Sequence, residues 1–255
     1  MGEARLYKYL DANGGVMMLY YSDLQFTNAT YLNDPFDCHP SLIDFSKVPA
    51  EKAKVWGKDG VIALESNRYE RLRDETWVCS LSKIHDSLLM WSYYGNHKGV
   101  CVGLDMEKAH KYLSKIFCSI YIGAMEMEVQ YKDIIEKPDF FRDAKDYFHY
   151  QLATKAKAWE HEQEVRLLLI DPFPEYMYLT EEQYKSNKTM NWKEVRAYPT
   201  LGGECFESVY LGINMNEQDR EKVIKAAKKC NPDIKINQMT VDPEAFRLKE
   251  ELIKD

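Results

Sequence analysis

Glu162-x-Glu164-x-Arg166 runs straight into Leu167-Leu168-Leu169-Ile170, and this stretch restricts the fold more tightly than any single residue type does. A helix would scatter the three charges around its surface. A strand beginning at about Glu162 lines them on one face and leaves Val165, Leu167 and Leu169 on the other. Leu168 and Ile170 then continue the charged face as an apolar one. The carboxylates therefore stand at one end of a strand that becomes wholly buried, and strand ends are where sites are commonly built. Two like charges on one face repel, and Arg166 beside them can hold one carboxylate while leaving the other available. A solvated strand edge would give the same pattern.

The other elements fall around this strand without strict alternation. Arg5-Leu6-Tyr7-Lys8-Tyr9-Leu10 reads as a first strand that ends at the turn signal Asn13-Gly14-Gly15. Residues 49–74 read as helix with a break near Gly60, and β-rich segments follow at 76–81, 99–104 and 127–131. A short helix capped by Asp105 covers 106–116, and a longer one covers 139–158, with Phe140, Tyr147, Gln151 and Leu152 on its inward face. The chain closes with strand 208–213, helix 216–229, strand 234–239 and a frayed terminal helix. No repeat, low-complexity tract or Pro/Gly/Ser linker divides the chain, so one domain spans 1–255. The class is α+β, with a mixed or antiparallel sheet core and flanking helices.

Composition removes several classes of function. Hydrophobic residues at 45% against 29% charged fit a globular core and exclude disorder. No apolar run approaches the roughly 20 residues of a membrane helix, so no membrane partner is expected. The first residues lack a secretory signal, and the six cysteines are scattered singly with no C-x-x-C pair; a cytoplasmic setting, free thiols and no metal site are expected. The formal charge of −7 does not favour nucleic acid held by phosphate neutralisation. Aromatic residues reach 13%, which suits a thick core or a pocket that stacks on planar ligands.

Two further segments carry polar groups in unusual density. Asn33-Asp34-Pro35-Phe36-Asp37 reads either as a tight turn with Phe36 in the core or as a rigid rim that places Asp34 or Asp37 in a pocket. Ser80-Leu81-Ser82 ends a strand, and the helix after it has Asp86 as N-cap, Gly95 as its left-handed end, and Met90, Trp91 and Tyr94 on one face, with His97 following. That helix docks by a buried Trp, or it walls an aromatic, hydroxyl-lined pocket.

Tyr7-Lys8-Tyr9, the Asn33 to Asp37 segment, Ser80-Leu81-Ser82, Asp86-Ser87, Met90-Trp91-x-x-Tyr94, His97-x-Gly99-x-Cys101, Trp159-x-x-Glu162-x-Glu164-x-Arg166 and Tyr210-Leu211-Gly212 together resemble the bacterial and phage family of domain of unknown function 2971. A family shared by bacteria and phages implies a setting of bacterial and phage conflict. The chain also resembles ADP-ribosyltransferases of the Arg-Ser-Glu type: a basic residue on the first strand (Arg5 or Lys8), a Ser-x-Ser strand and a Glu-x-Glu segment appear in that order. This second resemblance implies an ADP-ribosyltransferase-like fold, NAD as the substrate and a macromolecular acceptor. It puts Glu164 at the ribose, where a carboxylate stabilises an oxocarbenium-like state, and Glu162 at the acceptor. Ser80 would hold the ribose and Tyr94 or Trp91 would stack on the nicotinamide. Tyr7, Lys8, Ser82, His97 and Arg166 complete the expected NAD site, with Asn33, Asp34, Phe36 and Asp86 around it.

Two other readings compete. Asp34, Asp86, Glu162 and Glu164 could bind Mg²⁺ in a nuclease or hydrolase with His97 as base, or the aromatic pocket could sense a nucleotide-like small molecule without turnover.

Overall fold

The computed structural model describes residues 5–118, 123–170 and 196–253. In chain order these form β1 (Arg5–Leu10), α1 (Ala12–Tyr21), β2 (Phe26–Asn28), α2 (Ala50–Trp56), α3 (Lys58–Asp74), β3 (Thr76–Ser82), α4 (Leu88–Gly95), β4 (Val100–Asp105) and α5 (Met106–Cys118). They continue as β5 (Gly123–Glu128), β6 (Gln130–Lys132), α6 (Tyr147–Ala153), β7 (Thr154–Ala156), β8 (Glu164–Ile170), β9 (Arg196–Ala197), β10 (Phe206–Leu211), α7 (Glu217–Cys230), β11 (Lys235–Val241) and β12 (Leu248–Leu252). The class is α+β, as expected, and the sheet is mixed: β10 and β11 run parallel, joined through α7, while the other pairings of the large sheet are antiparallel.

Strand β3 is the branch point. One edge pairs with β8 along its whole length, from Thr76 opposite Ile170 to Ser82 opposite Glu164. The other edge is shared. β2 takes its first half, at Trp77 and Val78, and β1 meets it only at Ser82. Beyond that point β1 turns to β4, with which it pairs from Arg5 to Leu10. A fork thus opens between β1 and β2 beside Ser80. The carbonyl left without a strand partner there accepts a hydrogen bond from Lys8 Nζ at 2.9 Å, which meets the requirement that inner backbone groups be paired.

The alternation of β8 decides which side of the sheet becomes the core. Val165, Leu167 and Leu169 join Leu6, Leu81, Val102 and Leu104 under α1, α5 and α7. The opposite face carries Glu164 and Arg166 beside Ser82 and Ser80, with Leu168 packed on Val78 and Leu152 further along.

Several expected elements are corrected by tertiary contacts. Strand β8 starts at Glu164, not Glu162, because Lys157–Glu162 is a 3-10 turn and Gln163 takes a left-handed φ of 43°. Asn13, Gly14 and Gly15 lie inside α1, which Asp11 caps by accepting from the Gly14 N–H. The break between α2 and α3 falls at Gly57, with φ +71°, rather than Gly60. The expected helix over 139–158 is helical only at Tyr147–Ala153; Lys155 then pairs with Tyr131 in the small sheet of β6 and β7. Ser87 rather than Asp86 caps α4, and Asn96 and His97, not Gly95, take the left-handed positions after it. The terminal segment is strand β12, not a frayed helix, because β11 offers it an edge from Asn237 to Val241.

Gly15 shows how closely α1 sits on the sheet. A Cβ there would stand 2.1 Å from Val100 Cγ2, and Val100 is buried in the core. Gly15→Ala should therefore cost about 1–3 kcal/mol through overpacking, although alanine is the better helix former. The urea midpoint is the readout, and an unchanged or raised midpoint would contradict this packing.

Candidate functional site

Five ionisable side chains lie buried together at the fork: Asp37, Lys155, Glu162, Glu164 and Arg166. They come from four local devices. Asp37 follows a tight turn in which Asp34 Oδ1 accepts from the Phe36 N–H and the Asp34 carbonyl accepts from the Asp37 N–H. Lys155 is carried by β7, Glu162 ends the 3-10 turn, and Glu164 and Arg166 are two residues apart on one face of β8.

The contacts are direct. Lys155 Nζ lies 2.6 Å from Glu162 Oε2 and 3.0 Å from Glu164 Oε2, with Asp37 Oδ2 at 3.8 Å. Arg166 donates from Nε to Glu164 Oε1 at 2.9 Å and from Nη2 to Asp37 Oδ1 at 2.7 Å. Its Nη1 reaches the Leu152 carbonyl at 2.8 Å. Tyr94 Oη donates to Glu162 Oε1 at 2.5 Å, and Ser82 Oγ donates to the Glu162 carbonyl at 2.7 Å. The Glu164 N–H donates to Tyr131 Oη. Glu162 and Glu164 thus converge on one ammonium although they do not share a strand face.

Three carboxylates and two cations leave this group with one net negative charge. Its sharing is uneven. Burial alone would raise Glu164, but Arg166 and Lys155 outweigh it and bring the carboxyl down to about 2. At Asp37 burial prevails over the same two cations, and its pKa is raised. Burial would lower Lys155, yet Glu164, Asp37 and Glu162 raise it, so the ammonium stays charged. Burial and the Glu162 carboxylate both raise the Tyr94 phenol, which keeps it a proton donor to Glu162.

The cluster forms the floor of a cleft of about 380 Å³ lined by Tyr7, Lys8, Ser80, Tyr94, Glu162 and Glu164, with Asn33, Tyr31, Ser82 and Arg196 around them. Other expected site residues lie elsewhere. Arg166 is fully buried beneath the floor and acts through Glu164 and Asp37. Trp91 is 1% exposed, packs edge-on against Tyr9 and donates its indole N–H to the His85 carbonyl. Its place is the core between α4 and β1. His97 serves the turn after α4, its carbonyl accepting from the Asn214 N–H, and Asp86 is exposed ahead of that helix. Asp34 is buried as a turn former, while Phe36 is half exposed rather than a core plug.

Lys155, Arg196 and Tyr31 are among the cleft residues that sequence reasoning did not single out. Lys155 sat inside a segment read as helix, where one more lysine carried no signal. Among the described residues no group of three or more His, Cys, Asp or Glu is placed to hold a metal ion, and no helix is long and apolar enough to cross a membrane.

Two outcomes should separate the members of the cluster. Arg166→Met strands Asp37 and Glu164 without their common donor and should cost about 3–5 kcal/mol in urea unfolding. Glu164→Gln removes the carboxylate that both cations hold and should cost about 3 kcal/mol at neutral pH, the worth of lowering that carboxyl from 4.5 to about 2. The stability that the Glu164 carboxylate contributes is fully present above its ordinary value of 4.5 and is lost as the pH falls towards about 2. Unfolding free energy measured across that window should therefore fall less steeply for Glu164→Gln than for the wild type.

Residues 90–167 match the model of a family described as a protein of unknown function (DUF2971), while no curated protein and no solved structure matches the chain. The matched stretch, similar to the DUF2971 family, includes Tyr94, Lys155, Glu162, Glu164 and Arg166, the greater part of the buried cluster.

Proposed function

We propose that the cleft at the fork cleaves the nicotinamide glycosidic bond of NAD and passes the ADP-ribosyl group to an acceptor or to water. The observation that carries this reading is the meeting of three strands at one point. Lys8 of β1 donates to the Ser80 carbonyl of β3, and Ser80 lines the same cleft as Glu164 of β8. We read these three as the basic, serine and glutamate residues of the Arg-Ser-Glu resemblance; Lys8 lines the cleft, whereas Arg5 is engaged with Glu207 at the far end of β1.

The charge pattern supports the same ligand class. The floor carries net negative charge, and the basic side chains Lys8 and Arg196 stand on the wall above it. NAD has the complementary pattern, a cationic nicotinamide ribosyl end and an anionic diphosphate. In the reaction the C–N bond breaks, nicotinamide leaves with the bonding electron pair, and the ribosyl carbon acquires positive character. Glu164, ionised at neutral pH, faces that charge. Glu162, held at one oxygen by Tyr94 and at the other by Lys155, orients the nucleophile and takes its proton as the new bond forms. Ser80 binds the ribose, and Tyr94, 36% exposed, offers the ring face that buried Trp91 does not.

The nuclease reading draws less support. It needs Asp34, Asp86, Glu162 and Glu164 around one ion, and neither Asp34 nor Asp86 lines the cleft.

Purified protein incubated with NAD, with and without a cell extract, should release nicotinamide. Glu164→Gln should lower that release by orders of magnitude, and Glu162→Gln should reduce transfer more than hydrolysis, since water needs less positioning. Wild-type protein that releases no nicotinamide with any acceptor would overturn the reading, as would full activity in Glu164→Gln.

A further inference from the structure

A second cavity of about 650 Å³ lies on the α1 side of the fork. Lys8, Tyr9, Tyr94 and Arg196 line both spaces, so these four side chains form a common wall. The wall carries the basic groups, and the two spaces differ in chemistry. The first ends on the ionic floor. The second is walled by Met17, Tyr21 and Tyr198, all substantially exposed, with Asp23 and Gln25 between them.

Flat faces of this kind suit a heterocyclic ring, because every base offers a π-face that stacks on tyrosine and contacts thioether sulfur. The polar groups are held by the fold. Asp23 forms a β-bridge with Thr200, the next N–H, that of Leu24, donates to the Pro199 carbonyl, and Gln25 Oε1 accepts from Tyr198 Oη at 3.5 Å. Burial alone pushes the Asp23 carboxyl up to about 6, so at neutral pH it is mainly an acceptor and becomes a donor as the pH falls below that value. The Asp23 carboxylate can accept from an exocyclic or ring N–H of a base, and the amide of Gln25 offers both a donor and an acceptor to its edge. A pocket of this volume is ample for a purine.

We infer that the α1-side cavity is a subsite for the purine base of a nucleotide whose phosphates lie on Lys8 and Arg196. The orientation of a whole dinucleotide, base end under α1 and glycosidic bond over Glu164, rests on the function proposed above. The base subsite itself does not require turnover.

Calorimetric titration with AMP, ADP-ribose and nicotinamide mononucleotide tests it, on the wild type and on Tyr21→Ala/Tyr198→Ala, whose side chains are exposed enough for the fold to tolerate their loss. AMP and ADP-ribose should bind the wild type, and the double variant should weaken both by roughly tenfold or more, the usual worth of base stacking. Nicotinamide mononucleotide, which lacks the purine, should bind both proteins equally. Absence of AMP binding, or equal AMP and ADP-ribose affinity in both proteins, would overturn the subsite. AMP binding that the double variant loses, in a protein that releases no nicotinamide, would sustain the subsite and remove only the glycosidic reaction.

Discussion

The buried ion cluster beneath the cleft is the interaction on which the rest of the site depends. Arg166 has no exposed surface and ties β8 to the turn at Asp37 and to the end of α6 at Leu152. Lys155 ties the small sheet of β6 and β7 to both glutamates. Taking these charges out of water costs several kcal/mol each, and only dense mutual pairing offsets that cost. The pairing in turn fixes side chains contributed by four separate segments to within hydrogen-bond distance. A carboxylate that must face developing charge is useful in proportion to how little it has to reorganise, and Glu164 is held at both oxygens.

The cleft exists because β3 has more partners than edges. β8 occupies one edge completely, while β1 and β2 divide the other and diverge from it. A sheet that splits leaves backbone polar groups without strand partners, and Lys8 fills the gap at Ser80. The same divergence opens the floor on one side and the space under α1 on the other. Tyr94 joins the arrangement from α4, the segment between β3 and β4 whose docking is secured by Trp91 in the core. Structural and ligand-facing roles are thus divided between two aromatic residues three positions apart on one helix.

The charged strand and the first strand were legible from their period-2 alternation, and the serine strand from its β-rich composition, while the turn signal read after the first strand lies inside α1. The α+β class followed from their irregular succession with helices. Local patterning was less reliable where two periods compete. Residues 139–158 carry helical spacing, yet Thr154–Ala156 pairs with β6 and ends the helix early. At the other end of the chain, the charged run over Leu248–Leu252 reads equally as helix or edge strand, and β11 decides it by offering unpaired backbone. Gly14 and Gly15 looked like a turn because glycine is permissive; at Gly15 the smallness serves close packing on Val100 instead.

The sequence by itself determined that Glu164 and Arg166 share a strand face and that apolar residues on β8 face a core. These are consequences of two-residue periodicity within one segment. Only the tertiary structure decided that Lys155 stands between Glu162 and Glu164, that Asp37 rather than Asp34 reaches Arg166, and that Tyr94 rather than Trp91 faces the cleft. Those outcomes join residues up to 129 positions apart, as in the Asp37 to Arg166 pair. No local pattern encodes such a meeting, because the cost of burying each charge is met only by a partner that another part of the chain brings to it.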